Sequence, residues 1–126
     1  MGTKVKIKSG HIQSQSINGG VSYKPLIITG ASGTITGSIT NQSFVILDGD
    51  NAIIHATIAR PEPGMFLVLH CANADNAVTA KLTAGTYDGT NNTATFSALG
   101  TIFLFGVSYT RFMITQTVGT VALSST

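Results

Sequence analysis

Residues 81–123 constrain the fold of this chain more than any other stretch. They begin Lys81-Leu82-Thr83-Ala84-Gly85-Thr86-Tyr87-Asp88-Gly89-Thr90-Asn91-Asn92-Thr93-Ala94-Thr95-Phe96. They continue through Thr101-Ile102-Phe103-Leu104-Phe105-Gly106-Val107 and Arg111-Phe112-Met113-Ile114-Thr115 to Val121-Ala122-Leu123. Each segment is rich in threonine, β-branched or aromatic residues, and Gly, Asp or Asn cuts it from the next. β-branched and aromatic side chains fit a pleated, half-buried surface, and the short polar and glycine clusters fit tight turns. Nothing in the stretch favours a helix.

The same alternation extends backward through the chain. Strands are expected at residues 26–29, 34–39, 44–47, 52–59, 65–71, 78–83, 93–96, 102–107, 111–115 and 121–123. Turn chemistry separates them at Asp48-Gly49-Asp50-Asn51, Arg60-Pro61-Glu62-Pro63-Gly64, Asn73-Ala74-Asp75-Asn76, Asp88-Gly89 and Ser108-Tyr109-Thr110. Many short strands at regular spacing predict an all-β, antiparallel β-sandwich, jelly-roll-like. Residues 65–71 and 102–107 are apolar on both faces, which predicts central strands or strands with one face buried by a neighbouring subunit. No internal repeat is visible. A chain of 126 residues makes one domain, long enough to bury about two-thirds of its unfolded surface.

Lys4, Lys6, Lys8 and Lys24 fall in the first 24 residues with no acid among them. The remainder carries Arg60, Lys81 and Arg111 against Asp48, Asp50, Glu62, Asp75 and Asp88, so a basic segment precedes a slightly acidic body. Lys4-Val5-Lys6-Ile7-Lys8 alternates strictly, which puts the lysines on one face of an extended arm and Val5 with Ile7 on the other. Residues 1–24 are therefore read as an arm and loop, and 25–126 as the sandwich body. Charged residues are 10% of the chain, against roughly 25% in an ordinary soluble protein. Thr, Ser, Asn and Gly replace them, leaving a polar but weakly repulsive surface suited to packing against other subunits.

The reactive groups are few. Cys71 is the single cysteine, so no disulfide forms within the chain. It ends an apolar strand and is expected to behave as a small buried hydrophobe. His70 and Cys71 are neighbours on that strand and should point to opposite faces. His55, among small and apolar neighbours, is expected to be packed or hydrogen-bonded. Gly30, Gly33 and Gly37 have the wrong spacing for a dinucleotide-binding turn, and a strand rather than a helix follows them. Ser32 lacks the flanking glycines of a nucleophile elbow. Asp48 and Asp50 offer oxygens to a cation, but the position of the closing EF-hand glutamate is Ala59, so a plain turn is expected. The chain is expected to be no enzyme, with no cofactor and no metal. The lysine arm lacks the interleaved aromatics of a nucleic-acid site, so no nucleic-acid partner is expected. No apolar stretch of signal length follows the basic N-terminus, and the longest apolar run, Met65-Phe66-Leu67-Val68-Leu69, is too short for a membrane span. A cytoplasmic origin is expected, with no membrane partner.

The run Leu82-Thr83-Ala84-Gly85-Thr86-Tyr87-Asp88-Gly89-Thr90-Asn91-Asn92 and the closing Gly119-Thr120-Val121-Ala122-Leu123 resemble the C-terminal part of small capsid cement (decoration) proteins of tailed bacteriophages. The resemblance lies in turns and packing residues within 81–123, and the first half of the chain does not share it. It implies a structural virion protein on the outer surface of a capsid, seated as a homotrimer at local three-fold positions and clamping major capsid subunits. On that reading Lys4, Val5, Lys6, Ile7 and Lys8 contact the capsid, and Phe103, Phe105 and Phe112 are candidates for the trimer interface. Exposed lysine pairs contribute only about 0–1 kcal/mol each, whereas nanomolar attachment takes about 12 kcal/mol, so the lysines steer and set register, Val5 and Ile7 add a strand to a partner's sheet edge, and three arms on one trimer multiply the weak contact. The alternative is a glycan-binding module of a fibre or spike, stacking sugars on Tyr23, Tyr87 and Tyr109.

Overall fold

The structure, a computed structural model, describes residues 24–40 and 43–126. The expected capsid-contacting residues Lys4, Val5, Lys6, Ile7 and Lys8 lie outside them. Ten strands follow in order: β1 (Leu26–Ile28), β2 (Thr34–Ile39), β3 (Phe44–Asp48), β4 (Ile53–Ile58), β5 (Phe66–Asn73), β6 (Val78–Leu82), β7 (Thr93–Phe96), β8 (Thr101–Gly106), β9 (Phe112–Val118) and β10 (Val121–Ser124). All ten fall where the alternation placed them. They form two five-stranded sheets, β1-β3-β5-β8-β9 (sheet A) and β10-β7-β6-β4-β2 (sheet B), packed as a sandwich.

The pairing departs from a purely antiparallel sandwich. From β1 to β6 the chain alternates between the sheets, and each new strand lies parallel to the one before it in its own sheet. A parallel pair needs a crossover of a dozen or more residues, usually a helix. Here the crossover is a strand of the opposite sheet. The first half is thus wound like a two-sided solenoid, while β5 to β10 are joined by antiparallel pairs. A jelly roll is antiparallel throughout, so the winding half departs from that topology.

The winding contains the repeat that the sequence hides. Leu26 sits beside Val45 and Val45 beside Leu69, steps of 19 and 24 residues. In sheet B, Ile35 sits beside Ile54 and Ile54 beside Val78, the same two steps. Residues 60–64, the Pro-Glu-Pro turn, account for the longer second step. Inward ladders result. Ile39, Ile58 and Leu82 form one, and Ile28, Leu47 and Cys71 another. Gly37, Ala56 and Ala80 form a ladder of small residues. A Cβ on Gly37 would lie 2.8 Å from the Ile28 side chain, so the small ladder makes room for the branched residue facing it. The corners stack as well. Asp48 Oδ1 accepts from Asp50 N (3.1 Å), and Asn73 Oδ1 from Asp75 N (2.8 Å). Asn76 Nδ2 then donates to the Gly49 carbonyl at 3.0 Å, tying one corner to the next.

The core lies between the sheets and is apolar throughout. Tyr87 and Phe112, both fully buried, stack beside the loop that joins β6 to β7. The Tyr87 hydroxyl donates to the Ala80 carbonyl at 2.8 Å, which satisfies its polar end.

Candidate functional site

With the core filled from one side of each sheet, the outer faces distinguish the molecule. Sheet B turns polar residues outward. The row Thr36, His55, Thr79 and Thr95 crosses it, and the next row carries Ser38, Thr57, Lys81 and Thr93. His55 is exposed there, which corrects the expectation of a packed histidine: strand alternation turns Ile54 and Ala56 into the core and His55 out.

Sheet A turns apolar residues outward in three rows. Phe66, Phe105 and Met113 form the first, each 39–49% exposed. Phe44, Val68, Phe103 and Gln116 form the second. Ile27, Ile46, His70, Thr101 and Val118 form the third. Both strands read as apolar on two faces are interior to this sheet: β5 lies between β3 and β8, and β8 between β5 and β9. Their inward residues, Leu67, Leu69, Ile102 and Leu104, are buried by sheet B. Of their outward residues, Phe66 and Phe105 are 49% and 39% exposed, whereas Val68 and Thr101 are 9% exposed.

A trough of about 680 Å³ lies on this face, lined by Ser43, Phe44, Phe66, Val68, His70, Thr101 and Phe103. His70 Nδ1 lies 2.7 Å from Thr101 Oγ1, whose hydroxyl donates to the Leu99 carbonyl at 3.3 Å. His70 is the one ionisable side chain in the three rows. Such a face has the chemistry to exclude water against an apolar partner. Among the described residues, no three of His, Cys, Asp and Glu come together as metal ligands.

The predicted interface residues divide. Phe103 and Phe105 belong to the apolar face. Phe112 does not: it shares the inward side of β9 with Ile114, is fully buried, and stacks on Tyr87 with ring centroids 6.1 Å apart. It is a core residue with no surface to offer a partner. Phe44, Phe66, Val68 and Met113 complete the face and were not singled out from the sequence. Their signal was present in the two-faced apolarity of residues 65–71, since Phe66, Val68 and His70 alternate with Leu67, Leu69 and Cys71.

Cys71 points inward as expected, opposite His70, and burial pushes its thiol up from the ordinary range. The tyrosines divide too. Tyr87 is in the core and cannot stack on a sugar. Tyr109 is 54% exposed, with the Arg60 guanidinium 4.7 Å above its ring. Tyr23 lies outside the described residues.

The chain shows no significant match to a known family model, a curated protein or a solved structure.

Proposed function

We propose that the protein is a structural virion component that binds the outer surface of a phage capsid as a homotrimer and stabilises contacts between major capsid subunits. The observation that carries this reading is the contrast between the sandwich's outer faces. One is a threonine-rich, solvated surface. The other is a broad, uncharged surface of Phe, Met, Ile and Val on the central strands of sheet A. Large contiguous apolar patches mark interaction sites rather than free surface. The sparse charge of the chain suits a protein held permanently among other subunits.

The partners in this reading are the major capsid protein and further copies of the chain. The lysine-bearing segment 4–8 supplies electrostatic steering toward an acidic shell, and Val5 with Ile7 adds a strand to a partner's sheet edge. Three such segments on one trimer multiply a weak contact into durable attachment. The protein is made in the host cytoplasm and resides on the finished head.

Co-sedimentation with empty shells of the virus that encodes the chain tests the reading. The expected result is saturable binding that weakens as salt is raised, and weaker binding still after deletion of residues 1–10. Protein that stays in the supernatant at every salt concentration overturns it. So does binding that is indifferent to the deletion, as regards the role of the segment.

A further inference from the structure

We propose that the outer edge of β2 is a docking site for the chain's own segment Ile17–Val21, which pairs with it as one more turn of the parallel winding.

Three observations carry this. The first is the edge itself. Ile53 N donates to the Gly33 carbonyl at 2.8 Å, and β2 pairs with β4 in unbroken register. Alternation along the strand then turns the N–H and C=O groups of Thr34, Thr36 and Ser38 to the opposite side, where no described strand lies. Edges left open to solvent are ordinarily blunted by charge, proline, a bulge or shortness. β2 has none of these: it is six residues long, as long as β4, and reads Thr-Ile-Thr-Gly-Ser-Ile.

The second is the core at this end of the winding. Ile54 and Val78 are fully buried, yet Ile35, the next member of their row, is left partly exposed. In sheet A, Leu26 is likewise partly exposed beside the fully buried Val45. Each turn of a wound fold is covered by its neighbours, so the first turn needs a cap over its apolar side.

The third is a repeat in the sequence. The inward residues of β2, β4 and β6 follow one pattern, with Gly or Ala flanked two residues away on each side by Ile, Val or Leu. The instances are Ile35-Thr36-Gly37-Ser38-Ile39, Ile54-His55-Ala56-Thr57-Ile58 and Val78-Thr79-Ala80-Lys81-Leu82. The pattern occurs once more in the chain, at Ile17-Asn18-Gly19-Gly20-Val21. Ile17 precedes Ile35 by 18 residues, against 19 from Ile35 to Ile54. Val21 precedes Leu26 by 5 residues, against 6 from Ile39 to Val45, so the link into sheet A has the length the winding uses. In this register Ile17 meets Ile35, Gly19 extends the row of small residues from Gly37, and Val21 extends the row of Ile39, Ile58 and Leu82. Residues 1–16 are then the arm, rooted at the Thr34 end of β2. Lys8, nine residues before Ile17, stays within about 30 Å of that root.

Hydrogen exchange on the unaltered full chain and oxidation of the double variant Asn18→Cys/Thr36→Cys test the proposal together. Thr36 is on the solvated outer face of sheet B, and the register puts Asn18 beside it, so the variant should melt as the parent does. Adjacent strands about 4.8 Å apart fall within the roughly 4.4–6.8 Å between Cα atoms that a disulfide spans. Cys71 is buried and does not compete. Mild oxidation is expected to close a link within one chain, at a mass of 13.0 kDa. The control Asn18→Cys/Thr79→Cys, with β2 and β4 between its two positions, should remain unlinked. The amides of Thr34, Thr36 and Ser38 should exchange at least a hundredfold more slowly than in an unfolded chain. Rapid exchange at these amides overturns the proposal, as does linkage of the control pair as fast as the test pair. A link that joins two chains assigns the edge to a second copy's segment and overturns it. Slow exchange with no link assigns the edge to some other segment and overturns it too. A link within one chain, in a protein that ignores capsid shells, leaves the docked segment standing and removes the capsid reading.

Discussion

Tyr87 and Phe112 lie face to face in the core, with centroids 6.1 Å apart and planes inclined by 19°, and Tyr87 also donates its hydroxyl to Ala80. The pair joins the loop after β6, in sheet B, to β9 of sheet A. Truncating Phe112 to alanine therefore removes core volume and should cost about 3–5 kcal/mol. Tyr87→Phe keeps the ring and removes one buried hydrogen bond, at about 1–3 kcal/mol. Urea unfolding measures both. Sedimentation of whatever fraction of Phe112→Ala remains folded should show association unchanged, which separates this phenylalanine from Phe105.

Gly106 is the position least tolerant of a methyl group. A Cβ there would fall on the Glu62 carbonyl, which is backbone and cannot swing aside. The same approach carries hydrogen bonds from Gly64 N to Gly106 O (2.8 Å) and from Gly106 N to Met65 O (2.7 Å). These pin the turn at residues 60–64 to β8. Gly106→Ala is expected to cost about 1–3 kcal/mol or more. Gly37→Ala meets only the Ile28 side chain, and combining it with Ile28→Ala should recover part of its cost in a double-mutant cycle.

Acid should loosen the β6–β7 loop before the sheets. Asp88 Oδ1 accepts from Asn91 N at 2.7 Å and Thr90 N at 3.0 Å, and Oδ2 accepts from Asn91 Nδ2 at 2.9 Å. The amide of Asn91 above all holds this carboxyl below its ordinary range. Its folded value lies below its unfolded one, so its contribution is complete above the unfolded value near 4. It is lost as pH falls through the folded value. Unfolding midpoints from pH 6 down to pH 2 should decline less steeply for Asp88→Asn than for the parent.

Cys71 should resist thiol reagents while the protein is folded. It is fully buried, and burial disfavours the thiolate that would react. Labelling by a disulfide reagent is expected to follow the rate of opening rather than reagent concentration, and to become immediate in denaturant. Rapid labelling of the native protein would show that this part of the core opens readily.

The strands were legible because each segment is either alternating or a short run of β-branched, apolar and aromatic residues, and turn residues punctuate them. Alternation also placed His70 and Cys71 on opposite faces, and applied strictly it would have put Phe112 with Ile114 in the core and His55 outside. It says which face a residue occupies but not which strand lies beside it. That is why the parallel winding of β1 to β6 was missed. The repeat was hidden for two reasons. Its steps differ by the turn at residues 60–64, and its ladders tolerate Ile, Leu and Cys at equivalent places. The apolar face was half legible, because residues 65–71 showed two apolar sides. Only the sheet order brings Phe44, Phe66, Phe105 and Met113 onto one surface.

The account stands on that surface being covered in the assembled protein, and hydroxyl-radical footprinting across a dilution series measures this directly. In a single copy Phe66, Met113 and Tyr109 are 49%, 47% and 54% exposed, so all three should label when the protein is dilute. At high concentration Phe66 and Met113 should become protected together while Tyr109 continues to label. Equal labelling of all three at every concentration, with the protein at its single-chain mass, would contradict the account.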